Sequence, residues 1–392
     1  MQYRTDKHGN RLSALGYGCM RFTQKAGRID VDKTEKELLA AIEAGVNYFD
    51  TAYVYPGSEA ALGLILERNG LRDKVNIATK LPHYLIRSRE GLEKTFAEEL
   101  RRLRTDHVDY YLMHMLNDEK TWQRLCGLGI REWLAEKKAA RQIRQAGFSF
   151  HGNTDAFKAL LDAYDWDFCQ IQYNYLDEHS QAGRAGLDYA HEKGLAVIIM
   201  EPLRGGRLAS MLPAQAEKVF AECAPGRSNA EWGLRWLWDQ EAVTVVLSGM
   251  NSPDMVRENC AAADRAAPGC VTPEEREAYR RAVEAVNANL KVGCTGCRYC
   301  MPCPQKVDIP GTFAAYNRSA YDGRLRGMLD YFMCTALRRD ATGAANCIEC
   351  GRCERHCPQH IPIRQELKNA RKALESPVYR LAAKAVRLFI KY

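Results

Sequence analysis

The sequence predicts an α/β fold, a TIM barrel of eight parallel strands with a smaller cysteine-rich domain behind it, and three observations carry that prediction. Short β-rich runs alternate strictly with amphipathic helical stretches, the pattern of parallel strands joined by crossover helices. Eight such units fit within about 265 residues and no GxGxxG follows the first strand, which suits a closed barrel better than an open doubly wound sheet. The chain of 392 residues then has room for a second domain, and nine of its 15 cysteines fall between residues 294 and 357.

In order along the chain, a hairpin is expected from Gln2 to Leu15, turning at His8-Gly9-Asn10, followed by the strand ALGYG (14–18). The further strands are NYFD (47–50), VNIATK (75–80), VDYYLMH (108–114), FSF (148–150), FCQIQY (168–173), AVIIM (196–200) and VTVVLSG (243–249). Between them, apolar residues at three- and four-residue spacing predict helices over 32–44, 58–68, 88–104, 131–146, 155–164, 180–193, 228–239 and 253–263. After Gly269 the helical stretch TPEEREAYRRAVEAVNANLK leads out of the barrel. Trp232 and Trp236 sit at helical spacing and read as core.

Apolar residues make up 46% and charged residues 27%, enough for a sizeable core, which excludes wholesale disorder and a fibrous chain. The polar start MQYRTDKHGN and apolar runs no longer than LAVIIM predict neither a signal peptide nor a membrane span. The formal net charge is +7, yet residues 363–392 alone carry eight basic against two acidic side chains. The basicity therefore belongs to the tail, and no nucleic-acid partner is expected.

Without a secretory signal, clustered cysteines point to metal in a reducing cytoplasm rather than to disulfides. Residues 294–304 read C-TG-C-RY-C-MP-C-P, and residues 347–358 read C-IE-C-GR-C-ERH-C-P. The second is the C-x2-C-x2-C-x3-C-P run of two-cluster ferredoxins, and the first has one residue fewer before its fourth cysteine. Three thiolates from one tight loop serve three irons of a cube, and the fourth reaches the other cluster. The spacing thus predicts two 4Fe-4S clusters, one on Cys294, Cys297, Cys300 and Cys357, the other on Cys347, Cys350, Cys353 and Cys303. Zinc is the competitor for CxxC pairs, although it asks for neither a third cysteine in register nor a following proline. Cys334, Cys19, Cys126, Cys169, Cys223, Cys260 and Cys270 read as small hydrophobes. The expected division is a barrel over 1–270, a helical linker over 271–290, a ferredoxin-like two-cluster domain over 291–365 and a basic amphipathic tail helix over 366–392.

Three polar residues end three successive expected strands: Asp50, Lys80 and His114. In a TIM barrel those ends share the catalytic face, and Tyr55 follows closely enough to lean over it. A buried lysine beside a tyrosine lowers the phenol pKa from about 10, the aspartate keeps the lysine charged, and a histidine can hydrogen-bond a carbonyl oxygen. The competing reading is a buried structural Asp50–Lys80 pair and a satisfied histidine. His83, His151 and His179 lack ligand partners and read as surface or core, while His356 and His360 flank the last cysteine and read as solvent-exposed.

FDTAYVY, IATK and DYYLMH resemble the Asp, Tyr, Lys and His motifs of the aldo-keto reductases, and the order of elements over 1–265 is similar to that family's. The C-terminal part resembles a subgroup with a ferredoxin-like domain of two 4Fe-4S clusters. The resemblance implies that Tyr55 is the general acid, that Lys80 and Asp50 tune it, and that His114 orients the substrate oxygen. It also implies a nucleotide site. There Ser149-Phe150 keeps the family's serine and loses its asparagine, and Gln172 matches the amide-binding glutamine. Met200-Glu201-Pro202-Leu203 stands where the family has an aromatic that stacks on the nicotinamide. Leu203 closes that pattern as a further cofactor-binding residue, Arg204, Gly205 and Gly206 resemble the pyrophosphate loop, and Ser252, Glu258 and Asn259 the adenosine-side motif. Gly249 and Met255 occupy positions where NADP-specific members carry Lys and Arg, which leaves Arg257 for a 2′-phosphate.

The leading expectation is an oxidoreductase that reduces a small organic carbonyl or related substrate in the barrel, with single electrons passed by two clusters. Reduced ferredoxin or another electron carrier is the expected partner. NAD(P)H is a candidate cofactor, and a flavin is a candidate without a motif. The alternatives are an ordinary NAD(P)H-dependent carbonyl reductase with structural clusters and a non-enzymatic electron-transfer or redox-sensing protein, which the intact tetrad argues against. In the tail, Val378, Leu381, Ala385, Leu388 and Tyr392 alternate with Arg380, Lys384, Arg387 and Lys391 as in an amphipathic helix. Its apolar stripe packs on the barrel, or its cationic face docks an acidic donor such as ferredoxin.

Overall fold

A computed structural model describes residues 1–288, 290–294, 296, 298–338, 340–357 and 359–390. Eight strands close a parallel barrel in chain order. They are β1 (Leu15–Gly18), β2 (Tyr48–Asp50), β3 (Asn76–Leu81), β4 (Val108–Met113), β5 (Ile143–Phe150), β6 (Phe168–Gln172), β7 (Ala196–Met200) and β8 (Val245–Ser248). Closure is made by β8 against β1, with Val246 opposite Leu15 and Ser248 opposite Tyr17. Tyr48, Ala78, Tyr110, Leu112, Phe168, Ile198, Val245 and Leu247 form one buried cluster with Leu12. Gly16 is required by this close packing, because a Cβ there would lie 2.7 Å from Val245. The expected N-terminal hairpin pairs Tyr3–Thr5 with Arg11–Ser13, and Tyr110 Oη donates to Asp6 at 2.7 Å. That hairpin is tied to the barrel far from the strand ends that carry the polar residues.

Crossover helices surround the strands: α1 (Val31–Glu43), α2 (Ser58–Arg68), α3 (Arg89–Leu103), α4 (Glu119–Cys126), α5 (Ile130–Ala139), α6 (Thr154–Asp162) and α7 (Gly183–Glu192). The short α8 (Arg207–Ser210), then α9 (Ala214–Cys223), α10 (Asn229–Trp238) and α11 (Pro253–Ala263) complete the ring. The expected helix over 131–146 stops at Ala139, and β5 begins at Ile143 rather than at 148. The apolar Ile143 and Ala146 fit either period, and pairing decides: Ile143 lies opposite Val108 and Gln145 opposite Tyr110. α4, α8 and α9 were not expected. Trp232 is fully buried and stacks on Phe220 at 4.5 Å, while Trp236 lies against Tyr173 at 5.1 Å.

α12 (Pro273–Asn287) starts from a capping box of Thr272 and Glu275 with Pro273 in its first turn. It lays Ala278, Tyr279, Ala282 and Val286 into a cluster with Phe220 and Trp232. Beyond it come α13 (Ile309–Tyr321), α14 (Arg324–Thr335), the short α15 (Arg352–Arg355) and α16 (Ile363–Leu374). A separate core of Val307, Ile309, Phe313, Tyr331, Ile363, Leu367, Ala370 and Leu374 holds this second domain. Asn317 clamps the entering chain, its side chain bonding both the amide and the carbonyl of Val292.

Where one tail helix is expected over 366–392, the structure has two, α16 and α17 (Pro377–Ile390), split around Glu375 and Ser376. α16 belongs to the second core through Leu367, Ala370 and Leu374. Of the stripe expected to pack, Val378 and Leu381 are 74% and 72% exposed and Ala385 is exposed, while Ala383 turns inward; the Leu388 side chain lies outside the description. Lys391 and Tyr392 lie outside the described residues.

Candidate active site

The barrel gathers all four tetrad residues at one mouth. Asp50 ends β2, Lys80 lies near the end of β3, His114 follows β4, and Tyr55 sits in a turn after β2 whose amide donates to Ala52 O at 3.0 Å. Lys80 Nζ donates to Asp50 Oδ1 at 2.5 Å and to Thr51 O at 2.7 Å, and Gln170 Nε2 donates to Asp50 Oδ2 at 2.8 Å. Lys80 Nζ also lies 5.1 Å from the Tyr55 ring centre, and the His114 ring meets that ring edge-on at 6.0 Å.

Electrostatics give each group a protonation state. Burial pushes the Lys80 ammonium down, but Asp50 and then Tyr55 pull it up, and its pKa ends above the usual lysine value. For Tyr55, burial raises the phenol and Lys80 lowers it, with burial winning. Against the expectation that lysine lowers this phenol, the structure places it above its ordinary value, so Tyr55 holds its proton at neutral pH. Burial, then the Lys80 charge, holds His114 well below the usual histidine value, so its ring is neutral.

Two histidines read as surface or core stand beside it. Burial drives His83 down to about 4, and it also lowers His151. Both follow barrel strands, His83 after β3 and His151 after β5, and that placement was the signal available in the sequence. His179 also lies against the second domain, next to Gly296.

The nucleotide pattern is largely committed to other partners. Ser149 Oγ accepts from Met115 N at 2.9 Å, and Gln172 Oε1 accepts from Gln181 Nε2 at 3.0 Å. Arg204 is 1% exposed; its Nε donates to Asp177 at 2.8 Å, and Asp322 of the second domain lies 3.7 Å away. Arg204 thus does not project into a phosphate groove as the resemblance implied. Leu203 packs over Gly233, Ser252 caps α11, and Asn259 Nδ2 donates to Ser248 Oγ at 3.1 Å. Glu258 is exposed, and Arg257 is exposed and paired with Asp254. Gly205, at φ +69°, and Gly249 do leave a cradle, filled by Arg21: a Cβ on either would lie within 2.9 Å of its side chain. Nothing in the sequence motifs singled out Arg21.

At the nicotinamide end, Glu201 faces a different partner. It adopts φ +50°, a left-handed conformation costly for a non-glycine residue, and pairs with Arg326 of α14. Arg318 of α13 lies 3.9 Å from Glu201 and from Asp177, and bonds Asp322 at 3.0 Å and Asp330 at 2.5 Å. Burial lifts Asp330 to about 6 against the pull of Arg318 and Arg326. Met200, where the family has a stacking aromatic, offers no ring, and its neighbour Glu201 is held by Arg326 of the second domain.

The described cysteines of the two runs gather around two cavities, with Cys300 lining both. Cys303, Cys347, Cys350 and Cys353 line a cavity of about 190 Å³, together with Cys300 and His356. Cys294, Cys300 and Cys357 line a second cavity with Ile309, Phe313 and Ile361. Cys297 lies outside the described residues. The thiol of Cys347 accepts from Glu349 N at 3.4 Å, a contact suited to a ligating sulfur. Cys334 is buried, as expected of a small hydrophobe. Among the described residues, seven thiol donors around two cavities suit iron–sulfur ligation.

Residues 14–268 match the Aldo/keto reductase family, and residues 293–361 match the 4Fe-4S dicluster domain. A 9,11-endoperoxide prostaglandin H2 reductase of Trypanosoma cruzi is 27% identical over 259 residues, covering 64% of this chain and 81% of that protein. L-galactose dehydrogenase of Arabidopsis thaliana is 26% identical, covering 65% and 85%. Among solved structures, the holo form of an aldo-keto reductase from Bacillus halodurans superposes with a TM-score of 0.59 at 25% identity, over 73% of this chain and 97% of its own. An aldo-keto reductase from Klebsiella pneumoniae in complex with NADPH shares the fold at a TM-score of 0.60 and 24% identity, over 72% and 95%.

Proposed function

This chain belongs to the aldo/keto reductase family and carries a 4Fe-4S dicluster domain behind its barrel, and from that premise we propose that it reduces a small carbonyl compound with electrons that two 4Fe-4S clusters deliver singly. The observation that carries the proposal is the placement of the Lys80 ammonium between Asp50 and the Tyr55 ring, opposite a neutral His114. Cys294, Cys297, Cys300 and Cys357 would hold one cluster, and Cys347, Cys350, Cys353 and Cys303 the other. Each cluster supplies one-electron chemistry, so a pair matches the two electrons that a carbonyl needs.

The chain's own residues do the rest. A neutral His114 presents an N–H to the carbonyl oxygen and fixes it near Tyr55. Tyr55 Oη holds a proton at neutral pH and gives it to that oxygen as negative charge develops; the second proton that two single electrons require, the one that ends on carbon, comes from solvent. Lys80 stabilises the phenolate left behind, Asp50 keeps Lys80 charged, and Gln170 fixes Asp50. Reduced ferredoxin or another one-electron carrier is the partner this reading asks for. Replacing Tyr55 by Phe keeps the ring and removes the acid, so turnover falls about 100-fold or more with the fold intact. Unchanged turnover removes Tyr55 from that role.

A second reading, direct reduction by NAD(P)H with structural clusters, draws support from the glycine cradle at Gly205 and Gly249 beside Arg21. The absence of an aromatic at Met200, beside Glu201 held by Arg326, favours the first.

A further inference from the structure

Helix α17 packs one side and leaves aliphatic side chains on another exposed. Its start is well formed, with Ser376 Oγ accepting from Tyr379 N at 3.2 Å and Pro377 following the cap. Its inner side meets the second domain, where the Tyr379 ring lies 5.3 Å from Tyr331 and 5.9 Å from Phe332, and Ala383 is buried. The helix touches both α14 and the turn His83–Leu85, so it reaches from the second domain to the rim of the barrel mouth. Its aliphatic residues Val378 and Leu381 face outward at 74% and 72% exposure. The elements it touches add Leu325 and Leu329 on α14, at 80% and 47%, and Leu85 on the turn at 55%.

Single exposed apolar residues are ordinary, but two large aliphatics exposed on one helix, with three more on the two elements it touches, ask for a partner. Charge says which partner. Residues 377–392 include Arg380, Lys384, Arg387 and Lys391 and no acid. Among the described residues, neither Arg380 nor Lys384 forms an ion pair. Outward aliphatics flanked by unpaired cations are the elements of a helix that lies in a bilayer interface.

We propose that α17 lays this protein on an anionic lipid surface, with Val378 and Leu381 entering the headgroup boundary and Arg380 and Lys384 meeting lipid phosphates. No helix among the described residues is long and apolar enough to cross a membrane, so the contact is peripheral. Electrostatic steering of an acidic carrier protein rests on the cations, whereas a headgroup boundary takes up the outward Val378 and Leu381 together with Arg380 and Lys384, so the lipid surface accounts for more of what is exposed.

Flotation of the full-length, cluster-loaded protein with phosphatidylcholine vesicles and with vesicles enriched in phosphatidylglycerol tests this. The protein rises with the anionic vesicles and not with the neutral ones, and less so at high salt. Val378→Glu with Leu381→Glu, and separately Arg380→Glu with Lys384→Glu, each lower the bound fraction about tenfold while cluster absorbance and circular dichroism stay unchanged. Absence of binding to anionic vesicles overturns the proposal, as does binding that neither variant alters. Without vesicle binding, ferredoxin capture that depends on α17 gives the helix to a protein partner. A dimer that the Glu variants dissociate gives it to a second copy of the chain.

Discussion

Arg326, on α14 of the cysteine-rich domain, is ion-paired with Glu201 at the end of barrel strand β7. A side chain of the second domain therefore helps to wall the mouth in which Tyr55, Lys80 and His114 meet, and Arg318 extends the link to Asp177, Asp322 and Asp330. Replacing Arg326 by Met leaves Glu201 with Arg318 alone, at 3.9 Å. Stability to urea falls by about 1–3 kcal/mol, and Arg326→Lys recovers part of the loss.

Asp50 is 4% exposed and Lys80 is 1% exposed, so either charge alone would be buried without compensation. Lys80→Met destabilises the barrel by about 3–5 kcal/mol in urea unfolding and abolishes turnover. The double variant Lys80→Met with Asp50→Asn restores much of the stability and none of the activity. That outcome separates the structural part of the pair from its part in proton donation.

His83 is buried and held at about 4, against about 6.5 for an exposed histidine. The folded chain resists a proton that the unfolded chain accepts, so this contribution is complete above pH 6.5 and is lost as pH falls toward 4, by about 3 kcal/mol. Asp330, raised to about 6, acts in the opposite sense, because the folded state keeps a proton that the unfolded state releases. The difference between wild type and His83→Asn isolates the histidine. Chemical unfolding at pH 7, 5.5 and 4 shows a shallower acid loss in the variant.

The crossing of ligands between the two cysteine runs is testable by pairs of substitutions. Cys303→Ser with Cys350→Ser removes two ligands of one cluster and leaves about four irons per chain. Cys303→Ser with Cys294→Ser strikes both clusters and leaves close to none. Equal losses from the two pairs contradict the assignment.

The barrel was legible because each strand is a short apolar run between helices of clear period, and the tetrad because polar residues ended successive strands. The start of β5 was not legible, since Ile143 and Ala146 suit a helix as well as a strand until Val108 and Tyr110 are known to lie opposite. The nucleotide pattern misled at Arg204: its spacing matched, but the carboxylates that bury it, Asp177 and Asp322, lie far along the chain. Arg326 carried no motif for the same reason. The tail's period was plain in the sequence, yet which side faces out depended on α14 and the turn at His83.

The most direct test of the central claim is anaerobic single turnover with the clusters reduced and the excess reductant removed. Mixed with 4-nitrobenzaldehyde as probe, the protein is predicted to reoxidise its clusters and form the alcohol without NAD(P)H, and Tyr55→Phe to do neither at a comparable rate. Clusters that stay reduced beside the aldehyde, with a cluster-free cysteine variant that reduces it at the full rate from NADPH, would contradict the account.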